Sequence, residues 1–383
     1  MSIAINDLPR QRILSVDAFR GVTFVLMLIV NYLAGATGIP DGIHHTAAAA
    51  DGMHLADVVF PAFLFAVGMS IPFGLNSRLA KGDSLWRVQW HVLYRALALV
   101  VMGVFMVNAE GGYNEAAMIV PIALWSLGVY AAVLLVWGVY RFENRLLERA
   151  LRGAGVALFV VLALLYRGGS DGSGTMAPQW WGILGLIGWA YLIAGLAYQA
   201  TRGRLPLLLA ALALCVLWFA LGLPGTGHAV HAAIVLAGVV CALLVFERGR
   251  TGGALRNALL FAGALALAGL LSHRFYPVSK IYATPSWALY CSAICVAAFA
   301  LLHWLIERRG HKAWCAIVEP AATSGLITYL LPFVLGALMA LAGMRWPAAL
   351  LEGAGALVFA PLFALAVVFV VARLNSLNVK LKI

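Results

Sequence analysis

The chain has 383 residues, of which 63% are hydrophobic and 11% charged, and it carries a net charge of +11. Roughly a quarter of a soluble domain is charged, so this composition, with a mean hydropathy of +0.95, excludes an ordinary globular protein and reads as an all-α polytopic membrane protein. The cations lie in short loops between apolar runs, the pattern of orientation signals, which excludes nucleic acid as a partner and makes the lipid bilayer the solvent.

Residues 1–12 (MSIAINDLPRQR) are polar and no small-residue cleavage site follows the first apolar run, so that run is expected to stay as an anchor. Apolar runs recur at about 14–35, 55–75, 90–108, 116–139, 153–166, 181–199, 205–223, 228–246, 254–272, 286–306, 321–343 and 347–373. About twelve spanning helices are therefore expected, in one integral-membrane domain covering 1–383. A count of ten, without the 205–246 pair, keeps the same orientation.

The first run opens with Asp17 and Arg20, three apart and so on one helical face. They read equally as a boundary ion pair and as part of an entrance for an anionic donor. Asn31, near the far end, offers two amide donors of the kind a developing oxyanion needs. A loop rich in Pro and Gly over 36–43 follows, carrying His44, His45, Asp51 and His54, and Asp57 opens the second run. A neutral imidazole with a carboxylate on its second nitrogen is the usual base near pH 7. His45 with Asp57 is the candidate pair, and His44 is the adjacent alternative. These residues could also ligate a metal, but the alanine-rich loop lacks a two-histidine helix motif, and no metal site is expected.

Further along, Gly182, Gly185, Gly188 and Gly195 form a small-residue stripe of the kind that lets helices approach in lipid. Trp86, Trp180, Trp181, Trp287 and Trp346 fall near helix ends and read as interfacial anchors. The cysteines give no disulfide or metal framework, and Cys291 with Cys295 reads as packing. No glycine-rich phosphate loop and no second copy of the opening motif is present. Basic residues occupy every second inter-helix segment: Arg10 and Arg12; Arg78, Lys81 and Arg87; Arg141, Arg145, Arg149 and Arg152; Arg202 and Arg204; Arg248, Arg250 and Arg256; Arg308, Arg309 and Lys312; Lys380 and Lys382. Cations mark the cytoplasm, so both termini are expected inside, with His44, His45, His54, His228, His231 and His273 toward the outer side.

SVDAFRG, then VNY, a histidine loop and ADVVFPAFLFAVG, in that order, resemble the start of the transmembrane acetyltransferases related to heparan-α-glucosaminide N-acetyltransferase. WWGILGLIGWAYL at 180–192 and SKIYATPSWALYCS at 279–292 resemble an uncharacterised bacterial branch of that superfamily. The resemblance implies a multi-pass enzyme of the inner (cytoplasmic) membrane, passing acetyl from cytoplasmic acetyl-CoA to the amine of a glucosamine-like sugar outside. It implies that the loop histidine (His45 or His44), Asn31 and Asp57 surround the acetyl group. Asp17 and Arg20, with Arg78 and Arg95, are the candidates for holding acetyl-CoA, and the oligomer entertained is a homodimer. Three departures stand out. TAAAADGMHL holds about two extra residues, so alignment does not separate His44 from His45. Leu124-Trp125-Ser126 stands where relatives have Leu-Gln-Arg, and Ser324 where many have Asn. The rival class is a proton-coupled carrier of an amino sugar or similar solute.

Overall fold

In lipid every backbone N–H and C=O must be satisfied within its own segment, so each apolar run is driven to become a helix. In the computed structural model, which describes residue 8, residues 13–247 and residues 253–383, the helices are α1 (Leu14–Leu33), α2 (Leu55–Ala80), α3 (Leu85–Glu110), α4 (Ile122–Trp137), α5 (Arg145–Leu165), α6 (Ile183–Thr201), α7 (Leu205–Ala220), α8 (Thr226–Ala242, running on to Glu247), α9 (Ala254–His273), α10 (Pro285–His303, running on to Arg308), α11 (Cys315–Thr323), α12 (Gly325–Leu341) and α13 (Gly353–Ser376). No strand occurs among the described residues. Arg10, Arg12, Arg248 and Arg250, and the polar leader apart from Leu8, lie outside the described residues.

All twelve apolar runs are helical, yet among the described residues only eight helices are long and apolar enough to cross a membrane, or nine if α11 and α12 form one span broken by an 83° bend. The difference from twelve has plain causes. α4 and α7 have 16 residues each, about 24 Å of helix against a hydrocarbon core of about 30 Å. The run at 153–166 is the apolar end of α5, whose first turns carry Arg145, Glu148, Arg149 and Arg152.

The most enclosed helix is α8, part of the pair that a count of ten would drop. Every residue from Ala229 to Ala242 is buried, packed among α2, α6, α7 and α10. Lipid tails are as apolar as leucine, so helices hold together there by close packing of small residues. A Cβ on Gly68 of α2 would strike the Val235 carbonyl of α8, and one on Gly238 of α8 would strike the Phe65 carbonyl of α2. The glycine stripe of α6 does the same against α3: a Cβ on Gly188 would lie 2.9 Å from the Ala96 carbonyl, and one on Gly195 would lie 3.0 Å from Val92.

Trp86, Trp180 and Trp181 are exposed at helix ends, as anchors are. Trp287 is not an anchor: it is fully buried and donates from Nε1 to the Asp57 carbonyl at 3.1 Å. Trp125 is also fully buried, its Nε1 donating 2.8 Å to the Leu162 carbonyl, which ties α4 to α5.

Candidate functional site

Asp57 is the third residue of α2 and is 1% exposed. The orphan N–H groups of a helix start, and the positive end of its dipole, favour a carboxylate there. Its Oδ2 accepts the His54 and Thr46 backbone N–H groups, each at 3.0 Å, while Oδ1 meets His45 Nδ1 at 2.7 Å. A carboxylate on Nδ1 places the proton there and leaves Nε2 with the free lone pair. The neighbouring His44 makes no side-chain hydrogen bond among the described residues, so the fold gives the carboxylate to His45 alone.

A lysine joins the pair that sequence reasoning did not single out. Lys280 Nζ lies 3.2 Å from His45 Nδ1 and 3.3 Å from Nε2. Near-equal distances set the ammonium against the ring rather than along one lone pair. Burial pushes Lys280 below its ordinary value, and the Asp57 charge opposes that shift. The only signal in the sequence was the position of Lys280 at the head of SKIYATPSWALYCS.

This segment is latched onto the histidine loop. Asp51 accepts the Val278 N–H at 2.7 Å and faces His273 Nε2 at 2.9 Å, and Gly52 N–H donates to the Val278 carbonyl at 3.0 Å. The Val278 bond first, then His273, holds Asp51 below the usual carboxylate range. Cys291 packs beneath, its Sγ 3.7 Å from Met53 Sδ, which agrees with a packing role.

Asn31 opens into a cavity of about 520 Å³, the outer one in the orientation expected from the loop charges, that neither His45 nor Asp57 lines. Its amide has no hydrogen-bond partner among the described residues. Beside it are Glu110, Ser126, Tyr130 and Tyr329, with Tyr32, Trp346 and Phe363 as aromatic wall. The structure thus joins His45 to Asp57 and sets Asn31 apart from them.

Further along α1 toward its N-terminus lies a second cavity of about 270 Å³, the inner one in that expected orientation, lined by Arg20, Arg95, Lys382, Ser70, Tyr191 and Ser324 among others. Arg20 is 3.6 Å from Asp17 on the same helix, and Arg95 stacks over Tyr191 at 5.0 Å. Lys382 is carried there by a tail pinned to the end of α4: Val139 N–H donates to the Lys380 carbonyl, and Lys382 N–H to the Trp137 carbonyl, both at 2.9 Å. Arg78 does not line this cavity, being taken up by Asp83 at 3.2 Å and His91 at 3.2 Å. Ser324 sits at the break between α11 and α12 and bonds to the Asn375 side chain. Met27 and Tyr329 line both cavities, so the two meet back to back along α1. Among the described residues, no group of three or more His, Cys, Asp or Glu side chains converges on a metal position.

Two comparisons with known proteins bear on this arrangement. The chain is 34% identical over 128 residues to the human heparan-alpha-glucosaminide N-acetyltransferase, a stretch covering 33% of this chain and 18% of the human protein. It is 33% identical over 121 residues to the mouse protein of the same name, covering 31% of this chain and 18% of the mouse protein. The likeness read from the opening motifs is therefore present, and it spans less than a fifth of each curated relative. A family model described as Domain of unknown function (DUF5009) matches residues 12–231, more than half of the chain. That match runs from the start of α1 into α8 and takes in Asp17, Arg20, Asn31, His45 and Asp57, and the chain belongs to the DUF5009 family.

Proposed function

We propose that the protein is a membrane acyltransferase that takes acetyl from acetyl-CoA at the cytoplasmic face of the inner membrane and passes it to the amine of a glucosamine-like sugar at the outer face. One observation carries the reading: two cavities meet at Met27 and Tyr329, and the described residues lining the inner one include Arg20, Arg95 and Lys382 but no Asp or Glu. The phosphates of a CoA thioester seek such cations. A space of about 270 Å³ suits its thin acyl-bearing arm rather than the nucleotide. The alternation of basic loops supports an orientation with both termini, and with them the inner cavity, on the cytoplasmic side. The names of the curated relatives support the same chemistry.

In this reading the acceptor amine attacks the thioester carbonyl, a C–N bond forms, the C–S bond breaks, and the amine proton passes through a base to the departing CoA thiolate. Asn31, which lines the outer cavity, supplies donors to the oxyanion. His45, held by Asp57 outside that cavity and offering Nε2 once Lys280 withdraws from its ring, is the base and takes the amine proton through intervening water rather than by direct contact. Purified full-length protein incubated with labelled acetyl-CoA and a panel of amino sugars should yield acetylated sugar. A proton-coupled carrier would use the same paired cavities, and it predicts solute uptake into vesicles with no acetyl-CoA consumed. That outcome would replace the enzyme reading.

A further inference from the structure

The outer cavity has a charge opposite to that of the inner one. Glu110 is the sole Asp, Glu, Lys, Arg or His among the described residues that line it. It is the last residue of α3, so its carboxylate stands at the negative end of that helix dipole. It makes no ion pair or hydrogen bond among the described residues, and Tyr130 and Tyr329 line the same cavity. Glu110 is exposed, and a carboxylate at a helix C-terminus beside an aromatic wall, without a protein partner, is complemented by a bound cation. The wall itself suits such a guest: Tyr32 packs 6.0 Å from Trp346 and 5.4 Å from Phe363. Aromatic faces attract an ammonium group and stack on the C–H face of a sugar ring.

From this we infer that the outer cavity is the acceptor site, and that Glu110 selects a protonated primary amine on a compact, otherwise uncharged sugar while excluding the same sugar bearing sulfate or carboxylate. The lining residues described offer no cation to an anionic substituent, and Asn31 supplies the neutral polar contact. The inference rests on the acyltransferase reading for the reaction that follows, but the binding it describes stands alone.

The test is direct binding to the purified full chain in nanodiscs, read by calorimetry or by Trp fluorescence. At about pH 6 the amine of glucosamine is charged. Glucosamine should bind at least tenfold tighter than glucose or N-acetylglucosamine, and glucosamine 6-sulfate at least tenfold more weakly than glucosamine. Glu110→Gln should erase the preference for glucosamine over glucose while acetyl-CoA binding, measured on the same sample, stays unchanged. Equal affinity for glucosamine and glucose in the unaltered protein overturns the inference, as does a Glu110→Gln variant that keeps the preference. If the variant loses acetyl-CoA binding as well, the sugar series on the unaltered protein decides alone. Glucosamine bound with the expected preference but never acetylated would instead count against the transferase reading and leave this site standing.

Discussion

Replacing Asp57 by Asn changes one atom and should silence the proposed base without dismantling the loop. Oδ2 takes two backbone N–H groups, from Thr46 and His54, and an amide oxygen can keep both; Oδ1 faces His45 Nδ1, and there an amide NH₂ must donate. The ring is then forced into the tautomer that carries its proton on Nε2, where the lone pair was needed. A base contributes about a hundred- to ten-thousandfold to rate, so Asp57→Asn should lose roughly that factor in acetyl transfer. Stability should suffer less: two bonds to a charged acceptor become neutral ones, a loss of about 2 kcal/mol, against about 4 kcal/mol or more for Asp57→Ala, which strands both buried N–H groups. The assay is transfer from labelled acetyl-CoA, with thermal unfolding and acetyl-CoA binding as controls. His45→Ala should lose rate to a similar extent, and the double variant should lose little more, because the two residues act as one unit. A wild-type rate for Asp57→Asn, or a double variant that shows the product of the two single losses, would refute the reasoning.

Other consequences can be checked separately. Arg20→Ala and Arg95→Ala should each weaken acetyl-CoA binding by about tenfold or more through loss of a charge-assisted bond, whereas Arg78→Ala, outside the inner cavity, should not. Gly68→Ala should cost about 1–3 kcal/mol of stability by forcing α2 from α8, while Gly74→Ala, where a Cβ meets nothing within 4 Å, should leave the melting temperature unchanged. Because the fold lowers the Asp51 carboxylate, its latch adds stability above the unfolded value of about 4 and loses it as pH falls through the lower folded value. Hydrogen exchange at the Val278 amide, relative to its intrinsic rate, should therefore rise only in that acid window, and it should be fast at neutral pH in Asp51→Ala. A cysteine at Ala49 should react with an impermeant thiol reagent added outside intact cells and one at Lys81 should not; the reverse pattern would invert the orientation.

What could be read from the residues, and what could not, divides along physical lines. Run length marked twelve of the thirteen described helices because a backbone in lipid has little other choice, and it missed only the break that makes α11 and α12 separate. The His45–Asp57 pair was legible because its members are close in the chain and the carboxylate belongs to the helix that begins there. Lys280 was not, since a loop lysine far along the sequence reads as a solvated charge until the fold sets it on the imidazole. Trp287 was misread as an anchor because proximity to a helix end does not say which way the ring turns. Nor could the place of α8 be seen: a uniformly apolar segment looks the same whether lipid or protein surrounds it. Asn31 was expected beside the histidine, yet a position on the same helix end does not fix which cavity its amide enters.

The enclosure of α8 also sets an order of assembly. The chain leaves the ribosome from its N-terminus, so α1 to α7 are made before the helix that must lie between α2, α6 and α10. Until α8 arrives, the Gly68 flank of α2 borders lipid that cannot fill it as closely as a facing backbone does. The close approach of Gly68 to the Val235 carbonyl can therefore form only after α8 has been made, so α2 reaches its final packing late in synthesis.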